Sequence, residues 1–323
     1  MLYPALRLVN TLLSRPPAAA RLSILIYHRV LAEPDPILAD TPDARLFETQ
    51  VTALRRCFRL FPLGEALRQL DAGTLPPAAA AITFDDGYAD NAEVALPLLQ
   101  KHGISATFFI ATDYLDGGLM FNDQVIEALR RAPGAVLDLQ ALGLSRYAID
   151  SPSARWRAIN AILPLVKHRP QDERARLVKA IAAACKAKLP ERLMMTTTQL
   201  QGLRQAGMEI GAHTCSHPIL ASVDSVTAER EMRDSKLRLE ALLQIPVVLF
   251  AYPNGRPNAD YRAEHVAMAQ RVGFSAAVST ATGVVSAHGD RFQLPRYTPW
   301  ERAPARFSLR LTQNLVRTGA AMA

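Results

Sequence analysis

The chain has 323 residues, 49% of them hydrophobic and 21% charged, with a net charge of +7. That length suits one large domain or two ordinary ones, and the composition is that of a globular chain with material for a sizeable core. No apolar run reaches the ~18 residues of a membrane span, three scattered cysteines exclude a disulfide framework, and no run of Lys and Arg marks a nucleic-acid interface.

The N-terminal stretch MLYPALRLVNTLLSRPPAAARLS lacks a signal-peptide layout, because Arg7 and Asn10 interrupt its apolar residues. The expected location is therefore the cytoplasm. Leu2, Leu6, Val9 and Leu13 fall on one helical face beside Arg7 and Arg15. Segment 1–21 is read as an amphipathic helix that either packs on the body or lies on the inner face of a membrane. LSILIYH (22–28) reads as a buried strand ending at His28, and residues 47–58 and 62–73 have helical period. AAITF (80–84) is a strand ending at Asp85 and Asp86. Residues 91–103 form a helix that Pro97 must kink or shift. SATFFIAT (105–112) is a strand. Residues 115–192 then read as mostly helix, an insertion into the alternating pattern. The alternation resumes with a helix at 196–207, a strand at 208–213, a helix at 225–244 and a strand at 247–255. A helix over 258–273 and strands at 274–280 and 291–297 complete it. Residues 305–317 form a second basic, apolar-striped segment within a tail over 300–323.

Repeated strand–helix units argue for parallel strands covered by helices, as a barrel or an open wound sheet. In a barrel, chemistry stands where the strands end. Those ends deliver His28, then Asp85 and Asp86, then His213 with His217, then Tyr252–Pro253–Asn254, then Arg296. On a helix the spacing of His213 and His217 would set both rings on one face. Pro218, however, keeps His217 out of the α region, so His213 belongs at a strand end and His217 on the loop beyond. Two imidazoles with one carboxylate make a site for a divalent cation that leaves positions for water and substrate; the plain alternative is two unrelated histidines. Two aspartates on a metal would make a magnesium-like site. One on the metal would leave the other free to take a proton. The plain reading of Asp85–Asp86–Gly87 is an acidic turn with Gly87 at positive φ.

ITFDDGYADN together with HTCSHP resembles the polysaccharide deacetylase family (NodB homology, carbohydrate esterase family 4), and SATFFIAT and FAYPNG resemble its remaining core segments. The resemblance covers residues 22–114 and 194–299 and leaves 115–192 without a counterpart. It implies a distorted, incomplete (β/α) barrel of about seven strands, spanning 22–299. It implies Asp85 as catalytic base, and Asp86, His213 and His217 as ligands of a divalent metal, zinc first, with nickel, cobalt or iron as alternatives. The implied reaction is hydrolysis of a carbon–nitrogen bond other than a peptide bond: acetyl groups leave an N-acetylated saccharide as acetate and a free amine. De-O-acetylation and a silent carbohydrate-binding relative are the alternatives. The implied oxyanion donor is the backbone N–H of Tyr252. Two family features are missing: FAYPNG has no arginine before its tyrosine, and no leucine-x-histidine motif follows Arg296. His28 is therefore the candidate general acid, with His288 as its rival, and Arg296 the candidate for orienting Asp85, with Arg256 as its rival. Tyr252, Asn254 and Trp300 are the candidate substrate-binding residues.

Overall fold

The computed structural model describes residues 2–15, 20–317 and 322–323; residues 16–19 of the expected N-terminal segment and 318–321 of the tail lie outside them. In chain order the first half forms α1 (Leu2–Leu13), β1 (Arg21–Tyr27), α2 (Ala44–Cys57), β2 (Arg59–Leu60), α3 (Leu63–Asp71), β3 (Ala79–Phe84), α4 (Leu96–Lys101) and β4 (Thr107–Ile110). Next come α5 (Phe121–Arg131), β5 (Val136–Asp138), β6 (Arg146–Ala148), α6 (Pro152–Lys167) and α7 (Gln171–Ala184). The rest comprises α8 (Thr197–Gln205), β7 (Glu209–Ala212), α9 (Ser225–Leu243), β8 (Leu249–Ala251), α10 (Ala263–Arg271), β9 (Ala276–Val278), β10 (Val285–Ser286) and α11 (Pro304–Asn314).

The main sheet runs β10-β1-β3-β4-β7-β8-β9, with β2 also paired to β3. All its pairings are parallel except that of β10 with β1. The expected strand over 291–297 is instead a thin bridge across the remaining gap. Leu294 pairs with Val278 of β9, and Tyr297 pairs with Leu25 of β1. Asp290 bends the segment's start by accepting from Phe292 N (2.8 Å), so too few residues stay extended to form a ladder. The result is a distorted, incomplete (β/α) barrel.

Successive residues of a strand face opposite sides, and the two faces have different partners here. Leu22, Ile24, Ala79, Ala81, Phe109, Leu249, Ala251, Ala276 and Val278 form one buried cluster with Leu63, Ala66, Leu67 and Leu70 of α3. This is the enclosed face. Helix α3 plugs its lower end: Leu63 N donates to Thr107 Oγ1 and Gly64 N to the Glu209 carboxylate, at the first residues of β4 and β7. The opposite face, with Tyr27, Phe84, Phe108, Ile110, Phe250 and Tyr252, packs against the helices, including Phe47 of α2 and Phe307 of α11. Small residues fit where the enclosed face narrows. A Cβ on Gly211 would stand 2.5 Å from the Phe109 ring and 3.0 Å from Leu249 O. Gly211→Ala is expected to cost about 1–3 kcal/mol through overpacking, measured by urea unfolding; a loss under half of that would mean Phe109 relocates freely.

Segment 115–192 has a core of its own, in which Val125, Leu129, Ile159, Ile162, Val178 and Ile181 meet. It is mostly helical, as expected, but β5 and β6 add an antiparallel hairpin that was not, Val136 opposite Ala148. Three-residue strands are too short for a period-two signal to stand out among helical neighbours. The expected helix over 258–273 starts only at Ala263, because Asn258 is left-handed (φ 64°) within the preceding turn. Pro97 shifts its helix as expected: a wide turn over Asn91–Ala95 precedes α4, since proline has no N–H for the regular ladder. At the termini, α1 packs through Leu6 and Asn10, and α11 through Phe307 and Leu311, with Leu8 and Leu12 of α1 facing outward. No described helix is long and apolar enough to cross a membrane.

Candidate active site

The parity that fills the barrel also builds its mouth. Along β3, Ala79, Ala81 and Thr83 lead to Asp85; along β1, Leu22 and Ile24 lead on the same face to His28; along β7, Gly211 leads to His213; along β9, Ala276 and Val278 lead to Thr280. Asp85, Asp86, His28, His213, His217 and Asn254 share one cleft of about 440 Å³.

Asp85 is buried, and Arg296 grips it in a fork: Nη1 donates to Oδ1 and Nη2 to Oδ2, both at 2.7 Å. Arg296 is itself 1% exposed, and its Nε donates to Ser279 O (2.8 Å). Burial opposes the Asp85 charge, but the guanidinium holds the carboxyl below the usual carboxylate range. The rival arginine, Arg256, lies elsewhere, on the cleft wall beyond Asn254.

Asp86 has the outward parity, yet its backbone at φ 78° swings it back into the mouth. Thr214, His217 and Asn254 are left-handed as well, at φ 64°, 55° and 59°. Each such residue costs about 1–3 kcal/mol, so the surrounding contacts must hold the rim in place. Glu231 of α9 provides part of this, accepting from Cys215 N and Ser216 N (both 2.8 Å) and from Ser216 Oγ (2.7 Å). Asp86 Oδ1 then lies 3.4 Å from His213 Nε2 and 3.3 Å from His217 Nε2.

This trio fits a divalent cation. Asp86 Oδ1 is buried without a hydrogen-bond partner, and ligand atoms of all three residues lie within 4.8 Å of one another. Ligands about 2.0–2.2 Å from a tetrahedral zinc stand roughly 3.3–3.6 Å apart. His213 Nδ1 donates to Ala251 O (2.7 Å), which turns the lone pair of Nε2 toward Asp86. Burial opposes the Asp86 charge, but the two histidines hold its carboxyl well below the usual range. Burial would lower His213, yet Asp86 raises it; His217, chiefly through burial, is pushed down to about 4 and stands neutral at pH 7, as a metal ligand must.

Tyr252 requires a correction. It is 1% exposed, stacks on Tyr261 at 4.0 Å, and lies off the cleft. Its N–H already donates to Val278 O (3.2 Å), so it is not free for an oxyanion. The unengaged donors belong to Asn254, two residues on. Its side-chain Nδ2 is buried without a partner, and its backbone N–H has none among the described residues. His288 is also displaced from the site: it follows β10, which pairs with Arg21 and Leu22, the first residues of β1, at the end of that strand away from His28.

His28 is exposed and lines both this cleft and a second lobe of about 460 Å³, whose walls include Leu38, Ile126, Pro299 and Trp300. Trp300 is 69% exposed there. Asn91 Nδ2 donates to His28 O (2.8 Å), and Asp90 accepts from Arg29 Nε (2.7 Å) and Val30 N (3.2 Å), which fixes the chain on either side of the imidazole. In the same lobe the buried Asp123 accepts from the Tyr88 hydroxyl (3.1 Å), and burial pushes its carboxyl up to about 7. Asn91, Glu231 and the Asn254 donors were not foreseen, since a residue that acts through loop geometry leaves no spacing signal.

Residues 72–139 and 173–276, over half of the chain, match the family model described as polysaccharide deacetylase. The Bacillus subtilis protein YxkH, provisionally named a polysaccharide deacetylase, is 22% identical over 67% of this chain; the match spans about half (49%) of that relative's length. Among solved structures, the Streptococcus pyogenes deacetylase PplD superposes with a TM-score of 0.61 at 20% identity, over 92% of this chain and 99% of that one. IcaB from Ammonifex degensii gives 0.54 at 18% identity, over 89% and 97%. A de-N-acetylase from Aggregatibacter actinomycetemcomitans gives 0.53 at 15% identity, over 85% and 94%. With these sequence matches, this barrel and this cluster at its mouth, the chain belongs to the polysaccharide deacetylase family.

Proposed function

We propose that this deacetylase removes acetyl groups from nitrogen, on an N-acetylated saccharide, with a divalent cation held by Asp86, His213 and His217. The observation that carries the reading is the separation of the two adjacent aspartates: Asp86 turns to the histidine pair, while Asp85 is gripped by Arg296. Zinc is the first choice of cation, with nickel, cobalt or iron as alternatives. A cation there supplies Lewis-acid chemistry, polarising the acetyl carbonyl and acidifying water. Asp85, kept ionised, accepts the proton of the attacking water at its carboxylate. The N–H and Nδ2 of Asn254 donate to the carbonyl oxygen as charge develops on it. His28, at the junction of the two lobes, donates a proton to the departing nitrogen, which would otherwise leave as a poor amide anion. Trp300, on the second lobe, offers an exposed face for a sugar ring.

The test is release of acetate and free amine from a panel of N- and O-acetylated saccharides, with metal content measured on the same preparation. Matched acetate and amine, lost on chelation and restored by metal, is the expected result. Acetate without amine would replace the reading with de-O-acetylation, and neither product from any member would overturn it.

A further inference from the structure

The cleft has a second wall, contributed by the inserted segment. Asn160, Leu163, Pro164 and Lys167 recur at the spacing of one helical face of α6, and all four line the cleft together with His168. Helix α6 lies within 140–172, the stretch that the family match leaves out. Pro164 has no N–H to give to the Asn160 carbonyl, so this face presents an acceptor lacking its usual helical donor. Arg256 comes from a separate element, the loop after β8. Its backbone N–H is tied to Asp260 Oδ2 (3.0 Å).

The charge of this wall is unbalanced. Asp85 and Asp86 are the only carboxylates among the lining residues, and each faces its own partners. Neither Lys167 nor Arg256 makes a side-chain hydrogen bond or ion pair with any described residue. A lysine at a helix C-terminus commonly serves the terminal carbonyls. Here Arg174 Nη1 donates to the Lys167 carbonyl (3.2 Å), with its guanidinium stacked on Phe121 at 4.6 Å. The Lys167 ammonium is left to the cleft.

We propose that the cleft-facing side of α6, together with Arg256, is a subsite for an anionic substituent, a phosphate ester or a carboxylate, on the saccharide that is deacetylated. Lys167 and Arg256 supply the opposing charges, and the Asn160 carbonyl accepts from a sugar hydroxyl. The inference rests on the deacetylase reading for the identity of the ligand, and its test keeps the two apart.

Binding of an N-acetylglucosamine trisaccharide to the metal-loaded protein is compared by calorimetry with that of the same trisaccharide bearing 6-phosphate or 6-carboxylate groups. Each charge-assisted hydrogen bond gained should tighten binding about tenfold or more. The charged ligands should bind more tightly by at least that factor, less so as salt rises. The preference should vanish in Lys167→Gln/Arg256→Gln and persist in Lys167→Arg. Equal binding of charged and neutral ligands, or a preference that survives the double substitution, overturns the subsite. The phosphate and carboxylate arms show which anion is preferred. Acetate release is scored separately: charge-selective binding without release supports the subsite and counts against the deacetylase reading. Release without charge selectivity does the reverse.

Discussion

Arg296→Gln is expected to lower the unfolding free energy by about 3–5 kcal/mol at neutral pH, because it leaves a buried carboxylate without its countercharge. Asp85 is 2% exposed and Arg296 is the charged group in bidentate contact with it. In the native chain Arg296 overcomes burial and holds Asp85 below its ordinary value of 3.8. The pair's contribution is therefore complete above the carboxylate range and is lost as pH falls through the depressed value. In the variant only His213 and His28 still oppose burial, so Asp85 rises from its native value, and the penalty grows as pH rises above about 4 and shrinks below it. The difference between native and variant should thus be largest near pH 7 and narrow towards pH 4, measured by urea unfolding of chelator-treated protein. Arg296→Lys should recover only part of the loss, since an ammonium lacks the planar fork. A difference below 1 kcal/mol at pH 7, or one that does not change with pH, would show that the fork contributes little.

Asp85→Asn is expected to lower kcat by about 10²–10⁴ while retaining the cation, the range for loss of a positioned general base. Asp86→Ala should lose both the metal and the activity. The asymmetry follows from where the two carboxylates point. Asp85 spends both oxygens on Arg296, whereas Asp86 Oδ1 faces both histidines. The measurements are metal per chain by mass spectrometry and acetate release on the same samples. Metal lost equally from both variants would make Asp85 a ligand. Asp85→Asn retaining more than about a third of native kcat would remove it as the base.

How much of this site was legible in advance depends on how locally each residue acts. His28, Asp85 and His213 continue the alternation of their own strands, so the sequence placed them at the mouth without knowledge of the rest. The same alternation puts Tyr252 beside Phe250 on the outer face and away from the cleft. Applying parity to β8 would have found this. Asn254 was already a candidate for binding, but its unengaged N–H and Nδ2 follow from a left-handed backbone and from the hydrogen bonds its neighbours make first. Period cannot report either.

By itself, then, the sequence determined the order of strands and helices and set Asp85, Asp86 and His213 at strand ends with His217 on the loop beyond, because these follow from short-range period and spacing; the barrel and the roles of the four residues came from the resemblance of their motifs to the family. Only the tertiary structure decided which arginine grips Asp85, which backbone donor remains free, and which helix faces Asp86 and the two histidines across the cleft. Arg296 lies more than two hundred residues from Asp85 along the chain. Nothing in local spacing distinguishes it from Arg256; closure of the barrel by residues 294–297 brings it to the carboxylate and leaves Arg256, with Lys167, facing the open cleft.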